Sequence, residues 1–214
     1  MSRGPLRVRT RAPLAAVVLL GCSGLPPPMV GDPGPQSSDA KANAEYTAVL
    51  NHFSAQKQLF NVFETILFAG VTYESPAFIA ARIRRRDAFQ AQPAVQAARD
   101  VREAEAQMAQ FIDFTLGAYI QNPHFDDLNM ASSIWRVLLI TPAGEVTPVS
   151  VTRVGRADVD TRAYYPYMGD FWTVYRVRFP RSVGTNDVLP PGVKSFTLVL
   201  ASSLGRAEFQ LPTE

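Results

Sequence analysis

The sequence predicts an α+β fold in which a helical N-terminal part packs on an antiparallel, immunoglobulin-like β-sandwich. Up to about residue 110, apolar residues recur at helical spacing among many Ala, Arg, Glu and Gln. From residue 111 the period changes to two, in short runs separated by Pro, Gly and Asn turn signals, as antiparallel strands require. The chain has one cysteine, so the cysteine–tryptophan–cysteine framework of antibody domains is absent and "immunoglobulin-like" describes architecture only.

The elements follow in chain order. Ser37 or Ser38 is placed to cap a helix beginning near Asp39, whose carboxylate suits a first turn. Tyr46, Val49, Phe53, Phe60, Phe63 and Leu67 fall on a heptad template broken at Gln56. Leu50, Leu59, Val62 and Ile66 widen that face. Phe68-Ala69-Gly70-Val71-Thr72-Tyr73 is β-prone, and Gly70 weakens any helix there. The expectation is a helix from 38 to about 58 and an extended segment over 60–73.

Ser75-Pro76 is a helix start with proline at the first helical position, and Pro93 divides the following helical run into two helices or a kink. Arg82, Arg84, Arg85 and Arg86 read as a solvated face, with Asp100, Glu103 and Glu105 available to neutralise it. Ile112, Phe114, Leu116, Ala118 and Ile120 then alternate as one side of a half-buried strand that Asn122-Pro123 ends. Trp135–Ile140 is the next strand, and Val146–Val154 its expected hairpin partner. Phe171, Thr173, Tyr175, Val177 and Phe179 form one face of a further strand. Ser195–Ala201 and Arg206–Leu211 form a last hairpin around Ser202-Ser203-Leu204-Gly205.

The N-terminus has its own organisation. Arg3, Arg7, Arg9 and Arg11 precede an apolar stretch from Ala12 to Leu20, and Leu19-Leu20-Gly21-Cys22 closes it. That core is far shorter than the ~20 residues of a spanning helix. The segment resembles the signal peptide of a bacterial lipoprotein, with Leu19, Gly21 and Cys22 at the matching positions and Leu20 where a small or hydroxyl residue is commoner. The resemblance implies cleavage between Gly21 and Cys22, lipidation of Cys22 by fatty acyl chains such as palmitate, and, from Ser23, an outer-membrane destination facing the periplasm or the surface. A lone cysteine has no partner for an internal disulfide, and the Pro/Gly-rich residues after it suit an extended tether. The chain thus divides into a signal peptide (1–21), a lipidated tether (22–37) and a single globular domain (38–214), helix-rich over 38–110 and strand-rich over 111–211.

The formal charge of +2 belongs to the signal segment. Residues 1–21 hold four arginines and no acid, so the remainder carries 17 basic and 19 acidic side chains. A basic nucleic-acid-binding surface loses its support. Catalytic motifs are scarce: there is no Gly-x-Ser-x-Gly elbow, phosphate loop or His-Glu-x-x-His, and no cofactor is implied. His52 reads as a helix-surface residue. His124, in Pro123-His124-Phe125-Asp126-Asp127, is the one base beside carboxylates, too few ligands of the right kind for a metal.

Tyr164, Tyr165, Tyr167, Phe171 and Trp172 cluster around Pro166 and Asp170. Such a loop either packs on the sandwich or offers rings to a sugar or partner protein, which requires exposed, roughly coplanar rings at Tyr164, Tyr165 and Tyr167. The leading expectation is a non-catalytic binding or assembly module held at the membrane by its lipid. The alternatives are a carbohydrate or cell-wall binder using Tyr164, Tyr165, Tyr167 and Trp172, and a hydrolase with a site near His124.

Overall fold

The computed structural model describes residues 39–62 and 64–214. Ser37, Ser38, Cys22 and the residues expected to form a signal segment and tether lie outside the described residues. The chain runs through helix α1 (Ala40–His52), strands β1 (Ser54–Asn61) and β2 (Glu64–Tyr73), helices α2 (Pro76–Gln90) and α3 (Ala94–Met108), and strand β3 (Phe111–Ile120). After a single 3-10 turn at Pro123–Phe125 come β4 (Arg136–Thr141), β5 (Gly144–Val146), β6 (Ser150–Arg156) and the short helix α4 (Val159–Tyr164). The chain ends with β7 (Thr173–Pro180), a small hairpin of β8 (Ser182–Val183) and β9 (Asn186–Asp187), and a long hairpin of β10 (Ser195–Ser202) and β11 (Gly205–Pro212). This is a mixed α+β fold with antiparallel sheets, a five-stranded one ordered β1-β2-β3-β7-β6 and a four-stranded one ordered β11-β10-β4-β5.

The first helix is shorter than its apolar period predicts. The Asp39 carboxylate caps it, accepting from the backbone N–H of Lys41 and Ala42. It stops at His52, and Ser54 is already paired with Thr72 of β2. Ala55-Gln56-Lys57-Gln58-Leu59 are good helix formers, and pairing with β2 overrides that local preference. The extended reading of residues 60–73 holds for β2, whereas β1 replaces the last helical turns expected near 58.

Three other expectations meet the structure directly. Ser75 Oγ accepts from Phe78 N and Pro76 opens α2. Pro93 separates two helices. The alternation predicted for β3 is the observed one, with Ile112, Phe114, Leu116, Ala118 and Ile120 buried.

The partner of β4 is different. Gly144–Val146 forms the hairpin, and the chain then crosses to the other sheet, where β6 pairs with β7. Pro148 sits at the crossing and has no N–H to continue a ladder. Phe171 leaves the predicted β7 face as well: it precedes the strand and is 71% exposed.

Strand register sorts the larger sheet into two faces. Leu67, Ala69, Val71 and Tyr73 of β2 stand opposite Ile120, Ala118, Leu116 and Phe114 of β3 on the inner face. Phe196 of β10 meets that face from the second sheet, its ring 5.2 Å from Tyr73 and 5.7 Å from Phe114. One buried apolar cluster extends from Tyr46 to Leu211 and joins both sheets with α1 and α2. The outer face of the same two strands carries Gly70 opposite Gly117 and Thr72 opposite Thr115.

Candidate functional site

The aromatic loop, which could pack on the sandwich or offer its rings to a ligand, packs over that outer face. Tyr165, Tyr167 and Trp172 are buried, and Tyr164 is half-buried. The ring pairs Tyr165–Tyr167 and Tyr167–Trp172 meet edge to face, at 70° and 61°. The exposed, coplanar platform required of a sugar binder is therefore not the arrangement adopted. The reason lies in the sheet. A Cβ added at Gly70 would sit 2.5 Å from Cε2 of Tyr167, and one at Gly117 would sit 2.8 Å from Cε of Met168. The paired glycines make a flat place on which the loop lies.

Beneath the loop is a polar cluster. Glu74 follows β2, is 8% exposed, and accepts hydrogen bonds at Oε1 from Tyr165 Oη (2.6 Å) and Thr115 Oγ1 (2.7 Å). Arg82 of α2 reaches Glu74 Oε2 at 3.1 Å, while its Nε is buried without a hydrogen-bond partner among the described residues. Tyr167 Oη pairs with Thr72 Oγ1 at 2.8 Å, and Thr72 with Ser54 Oγ. Tyr46 Oη donates to the carbonyl of Tyr164. Burial pushes the hydroxyls of Tyr165 and Tyr46 well above the ordinary tyrosine range, and the Glu74 charge pushes them further. Burial raises Tyr167 in the same way. The Glu74 carboxylate raises Arg82 against the opposing effect of burial. Oε1 is thus hydrogen-bonded from β3 and the 165–172 loop, whereas Oε2 is buried with the Arg82 ion pair from α2 and no hydrogen bond among the described residues, and the carboxylate clamps three parts of the fold together.

The arginines of α2 are only partly the solvated face the sequence suggests. Arg84 is exposed. Arg82 holds Glu74, Arg86 pairs with Asp100 of α3 as the charge pattern predicted, and Arg85 donates to the carbonyl of Ala163 and to Asn43 Oδ1. The Arg85 guanidinium also lies 4.5 Å from the Tyr46 ring centre and 4.9 Å from that of Phe89. A groove of about 200 Å³ between α1 and α2, lined by Glu45, Tyr46, Val49, Arg84 and Arg85, opens beside these residues. It is smaller than the ~300 Å³ at which ordinary small-molecule sites begin.

His124 is exposed on the 3-10 turn, away from any enclosed site. Its neighbour Asp126 serves the fold: Oδ1 accepts from Tyr175 Oη, and Oδ2 from Thr173 Oγ1 and from an Arg153 terminal nitrogen (2.8 Å). Asp127 accepts from Ser133 Oγ. The His124 ring is exposed, and Asp126 and one oxygen of Asp127 are engaged by other side chains. His52 contacts the carbonyl of Glu214 at 2.7 Å and tethers the C-terminus. Among the described residues no group of three or more His, Cys, Asp or Glu side chains is placed to hold a metal ion.

Sequence reasoning missed Glu74, Thr115, Thr72 and Tyr46 as members of one cluster. Glu74 did carry a signal, as a single acid at the end of a β-prone run. Its partner Tyr165 is 91 residues away, and nothing local names it.

No family model matches the chain, and comparison with curated proteins and with solved structures found no match.

Proposed function

We propose that the protein is a lipid-anchored component of a bacterial cell envelope, held at the outer membrane through Cys22, and that its folded part is a non-catalytic binding or assembly module. The observation that carries this reading is the arrangement Leu19-Leu20-Gly21-Cys22 behind a basic, apolar start, with the only cysteine of the chain in place and a Pro/Gly-rich stretch after it. Two or three acyl chains on one residue make a stable anchor where one alone is marginal. The reading is also supported by how the polar groups are used. Glu74, Arg82, Asp126 and Arg153 hold layers together, and His124 stands in solvent. A catalytic site needs a nucleophile, a base and a charge-stabilising group converging on one open cavity. The same reading keeps the immunoglobulin-like label for the two sheets, supported by the contacts of Phe196 with Tyr73 and Phe114.

The test is cellular fractionation with mass analysis of the N-terminal peptide. Wild type is expected in the membrane fraction with an acylated Cys22 at the mature terminus. Cys22→Ser is expected to leave that fraction with an unchanged melting temperature. An unmodified terminus cut elsewhere, with unchanged fractionation, would refute the anchor.

A further inference from the structure

We propose that the tip of the β1–β2 hairpin, Phe60 to Val62, is a second membrane contact that seats the domain on the bilayer holding its lipid. The inference rests on the anchor reading above. Val62 is 81% exposed and Phe60 54% exposed. Val62 also has a φ of +55°. A hairpin position in the left-handed region normally takes Gly, Asn or Asp, because a β-branched side chain is strained there. Packing inside the fold does not explain a strained valine that stands in water. A surface outside the fold does.

The surrounding chemistry favours a lipid interface. No charged residue occurs from Gln58 to Phe63, between Lys57 and Glu64. The Phe60 ring lies 5.9 Å from Phe68, and Phe68 lies 6.2 Å from the half-buried Tyr119, so the apolar tip continues inland as an aromatic strip. Aromatic side chains with one wet side suit the headgroup boundary.

The tether makes the contact reachable. The chain length between Cys22 and the first described residue, Asp39, allows a reach of up to about 50 Å at roughly 3.1 Å per residue. A domain of this length has a radius of gyration of about 16 Å. The anchored domain can therefore turn any face to the bilayer, and the tether supplies a high effective concentration of it. A two-residue tip is too small to bind alone and sufficient to choose an orientation once the lipid is inserted.

The experiment uses the full acylated chain in phosphatidylcholine vesicles whose acyl tails carry bromine, which quenches tryptophan at membrane depth. Phe60→Trp is compared with Phe171→Trp, a control at a 71% exposed aromatic that precedes β7, three strands across the sheet from β1. The native Trp135 and Trp172 are buried and give the same background in both. The added tryptophan at 60 is expected to lose at least half its emission relative to unbrominated vesicles, and the one at 171 to be unchanged. Adding Val62→Asn, which accepts the left-handed backbone, is expected to weaken the quenching at 60 at least twofold. Equal quenching at 60 and 171, or none at 60 while the protein floats with the vesicles, overturns the tip contact. Flotation of Cys22→Ser reads the anchor separately. A chain that still floats without its lipid refutes the anchor, and the comparison of positions 60 and 171 then judges the tip alone.

Discussion

The two faces of β2 and β3 solve burial in opposite ways. Inside, Phe114 is fully buried among the rings of Tyr73, Phe179 and Phe196, at 5.5, 5.7 and 5.7 Å, with no polar atom among these side chains except the tyrosine hydroxyl. Outside, the same strands present two glycines and two threonines, and the layer above them is tied down through Glu74, Arg82, Tyr165 and Tyr167. The inner face is held by area removed from water and contact density. The outer face is held by directed hydrogen bonds and an ion pair, where losing one partner costs more than a made bond contributes. The inner face should therefore tolerate conservative apolar swaps and resist truncation. The outer face should resist removal of single partners and tolerate removal of whole pairs.

The largest effect belongs inside. Phe114→Ala is expected to lose about 3–5 kcal/mol, the usual cost of emptying a buried ring site. Guanidinium unfolding with an unchanged m-value reads it. A loss under about 1.5 kcal/mol would mean that the sheets do not pack here and would end the comparison.

Next comes Glu74→Leu, which strands a guanidinium and leaves the hydroxyls of Thr115 and Tyr165 to pair with each other at 3.2 Å. About 2–3 kcal/mol is expected, below the full cost of breaking a buried ion pair because the Arg82 side chain keeps 35% of its surface in water. The double variant Glu74→Leu with Arg82→Met is expected to recover more than half of that loss, since neither charge is then stranded. Simple addition of the two single losses would show that the clamp is no unit.

The glycine pair separates rigid from yielding neighbours. At Gly70 the added methyl meets the ring of Tyr167, which Thr72 holds by its hydroxyl, so Gly70→Ala is expected to cost about 1–2 kcal/mol. At Gly117 it meets Cε, Sδ and Cγ of the buried Met168 at 2.8–2.9 Å, but an unbranched thioether can turn aside where a pinned ring cannot, and the lower chain entropy of alanine offsets part of the cost, so the loss is expected to be the smaller of the two. Thermal melting of the two variants gives the order. Equal effects would mean that the loop lifts as one piece instead of being pinned at Tyr167.

These two faces also account for what could be read in advance. The inner face was legible because alternation in β3 and β10 is a local pattern, and a strand with one apolar side has one way to face. The outer face was not, because its meaning depends on elements far along the chain. Gly70 and Gly117 are ordinary glycines until register places them opposite each other beneath Met168 and Tyr167. The cluster from Tyr164 to Trp172 was visible, but tyrosine has an apolar body and a polar tip, so sequence alone did not say which way the rings turn. Strand β1 was hidden by the helical propensity of Ala55 to Leu59. The short α4 was hidden by its length, although Asp158, which caps Thr161 N, was its start signal.

The finest test of the outer face is alkaline. Folding requires the hydroxyl of Tyr165 in its neutral form, because burial first and the Glu74 carboxylate second hold its pKa far above that of an unfolded tyrosine, near 10. Its contribution to stability is therefore fully present below about pH 10 and is lost as pH rises beyond it. Each such tyrosine steepens the loss by about 1.4 kcal/mol per pH unit. Tyr46 and Tyr167 are raised in the same direction, so wild type is expected to lose stability steeply from about pH 10 upward. Tyr165→Phe is expected to cost about 1 kcal/mol at pH 7, where Thr115 still donates to Glu74, and to make the alkaline slope shallower by one tyrosine's share. Denaturant midpoints at pH 7, 9, 10 and 11 measure both quantities. An unchanged slope with a normal loss at pH 7 would mean that Tyr165 ionises freely in the folded protein. Its hydroxyl would then be open to water, and the outer layer would be the looser of the two faces.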